Sequence, residues 1–325
     1  MNRIQKHWLI GALSLILILA LTLGCGAKTG TPAQTAPPAK LKVIASVYPV
    51  YEFARQVGGD KIDLTQLVPP GAEPHDWEPT AREIVAIRAA RLFLYHGAGF
   101  ETIDKLLTAE TLGATKAVAV SQGIPLLKPA ADDNHGHDHG SSDKTAKTHD
   151  HHTDSHMWLD PLLAQKEVGA IAAALAAVDP QNADYYRQNA AAYIRELAKL
   201  DHEYQTALAG LPRREIVTSH AAFGYLAARY GLRQLPIMGL SPDSEPTPDK
   251  MASVVKFCRE HKVKYIFFET LVSPRLAETI ARETGASLLV LNPVENLTPE
   301  EVQQGKDYLG IMRDNLTNLK KALSQ

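Results

Sequence analysis

The chain has 325 residues, of which 45% are hydrophobic and 22% are charged, and its formal net charge at pH 7 is −2. This length and apolar content are enough for a substantial core and suggest two domains of ordinary size. Positive and negative residues are mixed along the chain, so no basic surface is expected for a phosphate backbone and nucleic-acid binding is set aside.

The first 24 residues have the pattern of a signal peptide. Arg3 and Lys6 precede an apolar run, residues 8–23, and the small residue Gly24 follows at the expected cleavage site. A transmembrane anchor is the alternative, but the apolar run is short for a bilayer span. We therefore expect residues 1–24 to direct export.

The next segment predicts a lipid anchor on a flexible tether. Residues 21–25 resemble a bacterial lipobox, in which Cys25 receives the lipid and becomes the mature N-terminus. Residues 26–40 contain no aromatic or branched aliphatic side chain, so residues 25–40 are expected to join the lipid to the folded part. The sequence thus predicts an exported lipoprotein on the periplasmic or extracellular face of a membrane.

Strands and helices alternate from residue 41 onward, judged by apolar periodicity and by glycine and proline stops. The expected strands are 41–47, 62–68, 91–95 and 117–120, and the expected helices are 50–57, 81–90 and 100–107. Such alternation predicts a parallel sheet covered on both faces. Residues 41–178 are therefore expected to form an N-terminal α/β lobe.

A long amphipathic helix is predicted next. From residue 181 to Leu208 there is no glycine or proline, and tyrosine, isoleucine and leucine recur at intervals of three and four. We expect residues 179–210 to link two lobes rigidly.

The alternation of strands and helices then restarts. The expected strands are 216–219, 234–238, 265–269 and 288–291, and the expected helices are 221–230, 250–261, 274–284 and 299–323. Residues 211–325 are therefore expected to form a C-terminal α/β lobe, so the predicted fold class is two doubly wound α/β lobes joined by a long helix.

A histidine-rich segment, residues 132–154, interrupts the first lobe. It consists almost entirely of small, polar and charged residues, so it is predicted to be a solvated loop. Imidazoles and carboxylates on one loop offer interchangeable sites for Zn²⁺, although an ordinary or pH-sensitive loop is the alternative. The candidate auxiliary ligands are His135, His137, His139, His149, His151 and His152.

Four other residues are candidates for one defined metal site. His75, His220 and Glu295 each follow a predicted strand, and His156 stands just after the histidine-rich segment. Ligands of doubly wound sheets bind outside the carboxyl ends of the strands, so these side chains are expected to converge. Three imidazoles and one carboxylate form a plausible tetrahedral set for Zn²⁺. Each histidine alone could be structural, so the prediction depends on the set.

Several motifs carry a family resemblance. They are residues 46–54 (SVYPVYEFA), 71–80 (GAEPHDWEPT), 154–161 (DSHMWLDP), 219–226 (SHAAFGYL), 240–246 (LSPDSEP), 267–269 (FFE) and 291–295 (LNPVE). From about residue 41 to its end the chain resembles the metal-binding solute-binding proteins of bacterial ABC zinc and manganese uptake systems. The resemblance implies a metal held in the cleft between two α/β lobes, an ABC permease as partner and a monomeric binding protein.

The resemblance also implies roles for the candidate ligands. The family's first two ligands match His75 and His156, and the third position is histidine in zinc binders and a carboxylate in manganese binders. Here it is His220, which favours Zn²⁺ over Mn²⁺ also by ligand softness. Glu295 matches the fourth ligand, for which water is the alternative and Glu269 is the rival carboxylate. Glu269 is expected to be a helix cap or a hydrogen-bond partner between the lobes.

Three further residues are interpreted as supporting the site or as unrelated to it. Asp76 and Asp160 are expected to fix loops or to bond the ligands. His96 stands where the family often has asparagine, and we interpret it as a spectator, with a neighbour of the site as the alternative.

The predicted function is extracytoplasmic, high-affinity capture of Zn²⁺ and its delivery to an ABC permease. Manganese binding and surface adhesion are alternatives within the same fold. A zinc hydrolase is less favoured, because the chain has neither a His-Glu-x-x-His helix nor a Gly-x-Ser-x-Gly turn, so no enzymatic activity is expected.

Overall fold

The structure is a computed structural model, and it describes residues 39–103, 107–127, 153–242 and 245–325. The predicted signal peptide 1–24, Cys25 and nearly all of the predicted tether lie outside these residues. The six histidines of the predicted auxiliary site, at positions 135, 137, 139, 149, 151 and 152, also lie outside them. These predictions therefore stay predictions.

The first sheet has four parallel strands. They are β1 (Leu41–Ala45), β2 (Ile62–Gln66), β3 (Leu92–Tyr95) and β4 (Lys116–Ala119), in the order β2-β1-β3-β4. Helices α1 (Tyr48–Gly58), α2 (Ala81–Ala89) and α3 (Ala109–Leu112) connect them. The first three residues of β3 are fully buried, as expected for a strand with both faces covered.

The predicted helix at 100–107 is wrong over its described part. Residues 100–103 are not helical, and the short helix α3 begins only at Ala109. The reason is a tight turn after β3: the carboxylate of Glu101 accepts hydrogen bonds from the backbone amides of His96 (2.5 Å) and Gly97 (2.8 Å). Gly97 and Gly99 have φ of +82° and +78°, which glycine adopts readily.

The second sheet repeats the topology of the first. Its strands are β5 (Glu215–Thr218), β6 (Arg233–Pro236), β7 (Tyr265–Phe268) and β8 (Ser287–Val290), all parallel, in the order β6-β5-β7-β8. Helices α6 (Gly224–Tyr230), α7 (Pro248–Glu260) and α8 (Arg275–Thr284) connect them. In both sheets the order of the strands reverses beside the first strand, which creates a crevice at their carboxyl ends.

Two long helices lie between the sheets in sequence, α4 (Pro161–Val178) and α5 (Ala183–Leu208). The predicted linking helix corresponds to α5, whose 26 residues extend about 39 Å. By length and composition α4 is, among the described residues, the one helix able to cross a membrane. Its residues Val168, Ile171 and Leu175 are fully buried in the main core, so we interpret it as a core helix.

The chain closes with two helices, α9 (Pro299–Gln303) and α10 (Tyr308–Leu323), where the sequence predicted one. Gly305, with φ of +67°, ends the first segment. Asp307 begins the second, because its side chain accepts a hydrogen bond of 2.8 Å from the amide of Gly310.

One hydrophobic core joins the two sheets. It includes Val43 and Leu94 from the first sheet, Leu197 from α5 and Phe267 from the second sheet, all at most 1% exposed. Smaller cores cover the other face of each sheet. Residues Lys40–Gln325 accordingly form one compact unit, and the finer domain limits inferred from the sequence stay predictions.

The role of α4 in this core can be tested with two leucines on the same helix. Leu175 is fully buried, whereas Leu162 is 36% exposed. We expect Leu175→Ala to lower the free energy of unfolding by about 2–5 kcal/mol, because the substitution leaves a cavity. Chemical denaturation measures this change, with Leu162→Ala as the matched control. Equal losses for both variants would contradict this account of the core.

Candidate metal centre

His75 lies on a turn that follows β2. The carboxylate of Glu73 accepts a hydrogen bond of 2.9 Å from the backbone amide of His75, which closes the turn. The side chain of Asn296 donates to the carbonyls of Pro69 (2.7 Å) and Ala72 (2.9 Å) on the same turn. The turn that carries His75 is therefore bound to the segment that carries Glu295.

His156 is fully buried and precedes a 3-10 turn, Met157–Leu159. Asp154 Oδ1 lies 2.9 Å from both the backbone amide and Nδ1 of His156. Since a carboxylate accepts, Nδ1 carries the hydrogen and the lone pair is on Nε2.

A glycine on the second lobe makes room for this carboxylate. A Cβ atom on Gly224, at the start of α6, would clash with Asp154 Oδ2. A side chain at this position would push against the Asp154 carboxylate, so Gly224 leaves room for the group that orients His156.

Trp158 connects the part of the first lobe that carries His156 with the second lobe. Its Nε1 donates a hydrogen bond of 2.8 Å to the carbonyl of Pro293, and its own carbonyl accepts one of 2.5 Å from Tyr308 Oη. Its ring also contacts the ring of His156, with centroids 5.3 Å apart. Trp158 thus fixes the distance between His156 and the segment that leads to Glu295.

His220 is fully buried and lies two residues after the end of β5. Its Nδ1 lies 2.7 Å from Oε1 of Glu269, at the end of β7, so that its Nε2 is also the free nitrogen. The carbonyl of His220 accepts hydrogen bonds from Thr218 Oγ1 (2.8 Å) and Gln234 Nε2 (2.9 Å). Both partners of the His220–Glu269 contact belong to the second lobe, so the predicted roles of Glu269 as a helix cap or as a partner between lobes are wrong.

Glu295 follows β8 on a segment with strained backbone. Val294 has φ of +59°, an unfavourable conformation for a β-branched residue. Hydrogen bonds hold the segment. The side chain of Asn315 accepts from the backbone amide of Asn292 (2.8 Å) and donates to its carbonyl (2.7 Å), and Val294 N donates to Asn292 Oδ1 at 2.7 Å. The strain is consistent with a carboxylate directed into the site by its surroundings.

The structure brings together the four predicted side chains. His75, His156, His220 and Glu295 each offer one atom, and these atoms lie within 4.8 Å of one another. Oε1 of Glu295 lies 3.1 Å from Nε2 of His156, 3.2 Å from that of His220 and 3.6 Å from that of His75. None of these four buried atoms has a properly directed hydrogen bond to another described residue.

This arrangement suits a divalent metal of intermediate softness. Buried polar atoms are normally hydrogen-bonded, so four unsatisfied atoms that face one point indicate a missing ligand. Three imidazole nitrogens and one carboxylate oxygen match the donors of a tetrahedral site, and the contacts of His156 and His220 with carboxylates fix their orientation.

Neighbouring charges shift the pKa values of Glu295, His220 and His156. Burial raises the pKa of Glu295, but the charges of His75 and His220 and its contacts with the imidazoles outweigh burial and hold the pKa well below 4.5. Burial lowers the pKa of His220, but Glu269 and Glu295 raise it well above 6.5. Burial also lowers the pKa of His156, but Asp154 and Glu295 outweigh burial and raise the pKa above 6.5. Without metal, the site therefore favours protons on the imidazoles of His156 and His220.

Two other predicted residues have structural contacts. Asp160 caps α4, because its side chain accepts a hydrogen bond of 2.8 Å from the amide of Leu162. The backbone amide of Asp76 lies 3.3 Å from Glu73 Oε2 and contributes to the His75 turn.

Sequence reasoning missed the roles of four residues in the site: Asp154, Trp158, Gly224 and Asn296. The available signal was the spacing of Asp154 and His156, since an aspartate two residues before a ligand can bond its ring. Asp154 also belongs to the histidine-rich segment, whose composition concealed it.

Fold and site together define a two-lobed α/β binding protein with a metal centre at the carboxyl ends of its strands. The ZnuA family, described as the zinc-uptake complex component A, periplasmic, matches residues 43–322. The chain belongs to this family of solute-binding proteins.

Similar proteins agree with this membership. The chain is 41% identical over 319 residues to the high-affinity zinc uptake system protein ZnuA of Bacillus subtilis (strain 168), covering 98% of each. It is 40% identical over 289 residues to the zinc-binding lipoprotein AdcA of Streptococcus pneumoniae, covering 88% of this chain and 56% of AdcA.

Solved structures share the fold. The Zn(II)-bound ZnuA-like domain of Streptococcus pneumoniae AdcA has a TM-score of 0.74 at 37% identity, covering 88% of this chain and 100% of the domain. The laminin-binding protein Lmb of Streptococcus agalactiae, described as bifunctional with adhesin and metal-transporting activity, has a TM-score of 0.75 at 33% identity, with the same coverage. These similarities confirm the predicted fold of two α/β lobes.

The pKa shifts predict how the stability of the metal-free protein depends on pH. The contribution of His220 is complete below pH 6.5 and is lost as the pH rises through its raised pKa. The contribution of Glu295 is complete above pH 4.5 and is lost as the pH falls through its lowered pKa. We therefore expect these groups to stabilise the metal-free protein most between pH 4.5 and 6.5.

Chemical denaturation of the metal-free protein across this range tests the expectation. His220→Gln should remove part of the stability loss on the alkaline side. Because His220 also lowers the pKa of Glu295, the variant should make the acid-side loss smaller and move it to higher pH. An alkaline limb that is identical in the wild type and this variant would contradict the raised pKa.

Proposed function

We propose that the protein captures Zn²⁺ outside the cytoplasm, with His75, His156, His220 and Glu295 as its ligands, and delivers it to an ABC permease. The observation that carries this proposal is the convergence of three imidazole nitrogens and one carboxylate oxygen, all buried and without hydrogen bonds among the described residues. Membership of the zinc-uptake family supports the same conclusion.

Zinc is favoured over manganese by the donor set. Three of the four proposed ligand atoms are imidazole nitrogens, which suit Zn²⁺, whereas Mn²⁺ prefers oxygen donors. The carboxylates of Asp154 and Glu269 bond two of the imidazoles and add negative charge around the cation. The similar proteins whose names include zinc support this choice.

Capture exchanges protons for metal. A metal-bound imidazole must be neutral at its donor nitrogen, so binding displaces the protons that the raised pKa values of His156 and His220 retain. Zinc affinity should therefore rise with pH through the titration of these histidines. His75 is the most exposed of the four proposed ligands, at 11%, so we infer that zinc enters and leaves on its side.

The N-terminal predictions complete the proposed assembly. Residues 1–24 direct export, Cys25 carries the lipid and the following residues tether a monomeric binding protein to the membrane beside its permease. The zinc-binding lipoprotein among the similar proteins supports anchoring of this kind. The protein binds and releases its cargo without chemical conversion, so we propose no enzymatic activity.

The histidine-rich segment is proposed to collect zinc for the central site. Leu127 and Asp154, just before and just after the undescribed residues 128–152, form a β-bridge. Tyr225 Oη accepts a hydrogen bond of 2.9 Å from Leu127 N and lies 3.2 Å from the carbonyl of Asp154. Residues 128–152 are therefore flanked by a bridged pair, of which Asp154 is two residues before His156 in the chain and bonds its ring.

Loss of a proposed ligand should remove tight zinc binding. Substitution of residues that only support a ligand typically costs 10–100-fold in affinity, so we expect His220→Ala to weaken zinc binding by at least about 100-fold. Competition with a chelator measures the affinity. His202→Ala, an exposed histidine on α5, is the matched control and should bind like the wild type. Unchanged affinity in His220→Ala would exclude the proposed site.

Loss of a carboxylate behind a ligand should have a smaller effect. Glu269→Gln and Asp154→Asn keep size but remove charge, and we expect each to weaken zinc binding by about 10–100-fold. Glu110→Gln, at an exposed position, controls for the change in net charge. If Glu269→Gln and Asp154→Asn match the control, the two carboxylates do not support the site.

Removal of the histidine-rich segment should reduce the collection of zinc more than it reduces the affinity of the central site. We expect deletion of residues 134–152 to reduce the number of zinc ions bound per protein, to leave one tight site and to slow uptake at low zinc. Metal analysis and uptake by cells that carry the variant measure these effects. Unchanged stoichiometry and uptake would reject the collecting role.

A further inference from the structure

A second group of buried titratable residues lies behind the proposed zinc site. His96 follows β3 and Glu167 is on α4, and both side chains are 0% exposed. His96 Nδ1 lies 3.5 Å from Glu167 Oε1, and His96 Nε2 lies 2.7 Å from the carbonyl of Ser155. Neither His96 Nδ1 nor either oxygen of Glu167 has a hydrogen bond within the described part of the chain.

The hydrogen positions of this pair follow from its partners. A carbonyl oxygen only accepts, so Nε2 of His96 carries a hydrogen and donates it to Ser155. In a neutral ring Nδ1 then carries a lone pair and can only accept a hydrogen bond. An ionised Glu167 also only accepts, so the two groups would repel each other. A protonated Glu167 can instead donate its carboxyl hydrogen to Nδ1 when the two atoms, 3.5 Å apart in the structure, approach to hydrogen-bond distance.

The surroundings favour the neutral pair over an ion pair. Burial raises the pKa of Glu167 well above its ordinary value of 4.5, and the neighbouring carboxyl of Glu101 raises it further. Burial lowers the pKa of His96 to about 3. The charge of His156 also lowers the pKa of His96. Tyr225 on α6 and Tyr308 on α10 interact with Glu167 as well, and neither carries a positive charge.

The pair also contacts the wall of the proposed zinc site. Ser155, which accepts the hydrogen bond, directly precedes His156 in the chain. The ring of His96 packs edge-on against Trp158, with centroids 4.7 Å apart. It also contacts Phe100, whose ring lies 4.7 Å from that of His75. Movement of His96 would therefore be transmitted to two proposed ligands.

We propose that His96 and Glu167 are positioning residues for zinc binding: neutral Glu167 donates a hydrogen bond to His96 Nδ1, and His96 Nε2 donates one to the carbonyl of Ser155, which fixes the backbone before His156. This inference rests on the proposed function, in which His156 is a zinc ligand. It replaces the interpretation of His96 as a spectator.

A pair of substitutions at position 167 separates the hydrogen bond from simple packing. Glu167→Gln retains a donor for His96 Nδ1, whereas Glu167→Met has similar length and no donor. We expect Glu167→Gln to bind zinc within about threefold of the wild type and with the same pH profile. Glu167→Met should weaken binding by about tenfold, at the lower end of effects for residues that support a ligand.

His96→Phe provides an independent variant, because it retains a ring and removes both hydrogen bonds. If the two residues act as one unit, His96→Phe should lose about as much zinc affinity as Glu167→Met. The double variant His96→Phe/Glu167→Met should lose no more than either single variant. Infrared spectroscopy of the metal-free protein at neutral pH should show the carbonyl band of a buried protonated carboxyl group, and Glu167→Gln should remove it.

Specific results would overturn the proposal. Wild-type affinity in both Glu167→Met and His96→Phe would exclude a positioning role, and equal losses in Glu167→Gln and Glu167→Met would exclude the donated hydrogen bond. Absence of a band that Glu167→Gln removes would show that Glu167 is ionised. Failure of the wild type to bind zinc would reject the proposed function instead, and the infrared result does not depend on metal.

Discussion

The contact of one carboxylate oxygen with three imidazoles determines much of this structure. Oε1 of Glu295 lies 3.1–3.6 Å from the three Nε2 atoms, in a place where its side chain is only 3% exposed. A buried charge is costly unless it is paired, so the fold must supply cations at this point. Protons on the imidazoles of His156 and His220 do so in the metal-free protein, and in our proposal Zn²⁺ replaces them.

The segments around the site are bonded to each other across the two lobes. Asn296 binds the turn of His75, Trp158 binds the carbonyl before Val294, and Gly224 admits the carboxylate that orients His156. The hydrophobic core is also continuous from one sheet to the other. These contacts oppose a wide hinge motion, so release of zinc is expected to need local movement of the ligand loops rather than separation of the lobes.

Much of the fold and the positions of the candidate ligands could be predicted from the sequence. Alternating strands and helices indicated two parallel sheets, and the strand ends indicated where His75, His220 and Glu295 would meet. The failures have local causes. The predicted helix after β3 does not form in its described part because Glu101 bonds the preceding backbone amides, and Gly305 divides the closing helix. Such side-chain bonds are not visible in apolar periodicity.

Interactions between distant residues were the least predictable. The contact of Glu269 with His220 joins positions 49 apart in sequence, and that of His96 with Ser155 joins positions 59 apart. A histidine that follows a strand can be a ligand, a support for a ligand or a packed core residue. Only the folded arrangement distinguishes His220, which offers a free nitrogen to the site, from His96, which faces a buried carboxyl group.

X-ray absorption at the zinc edge, measured on the mature protein with one equivalent of Zn²⁺, tests the central claim most directly. The account predicts four light-atom neighbours, three imidazole nitrogens at about 2.0–2.1 Å and one carboxylate oxygen at about 2.0–2.2 Å, with the multiple-scattering signal of three histidines. Six oxygen neighbours, or a signal from fewer than two imidazoles, would contradict it.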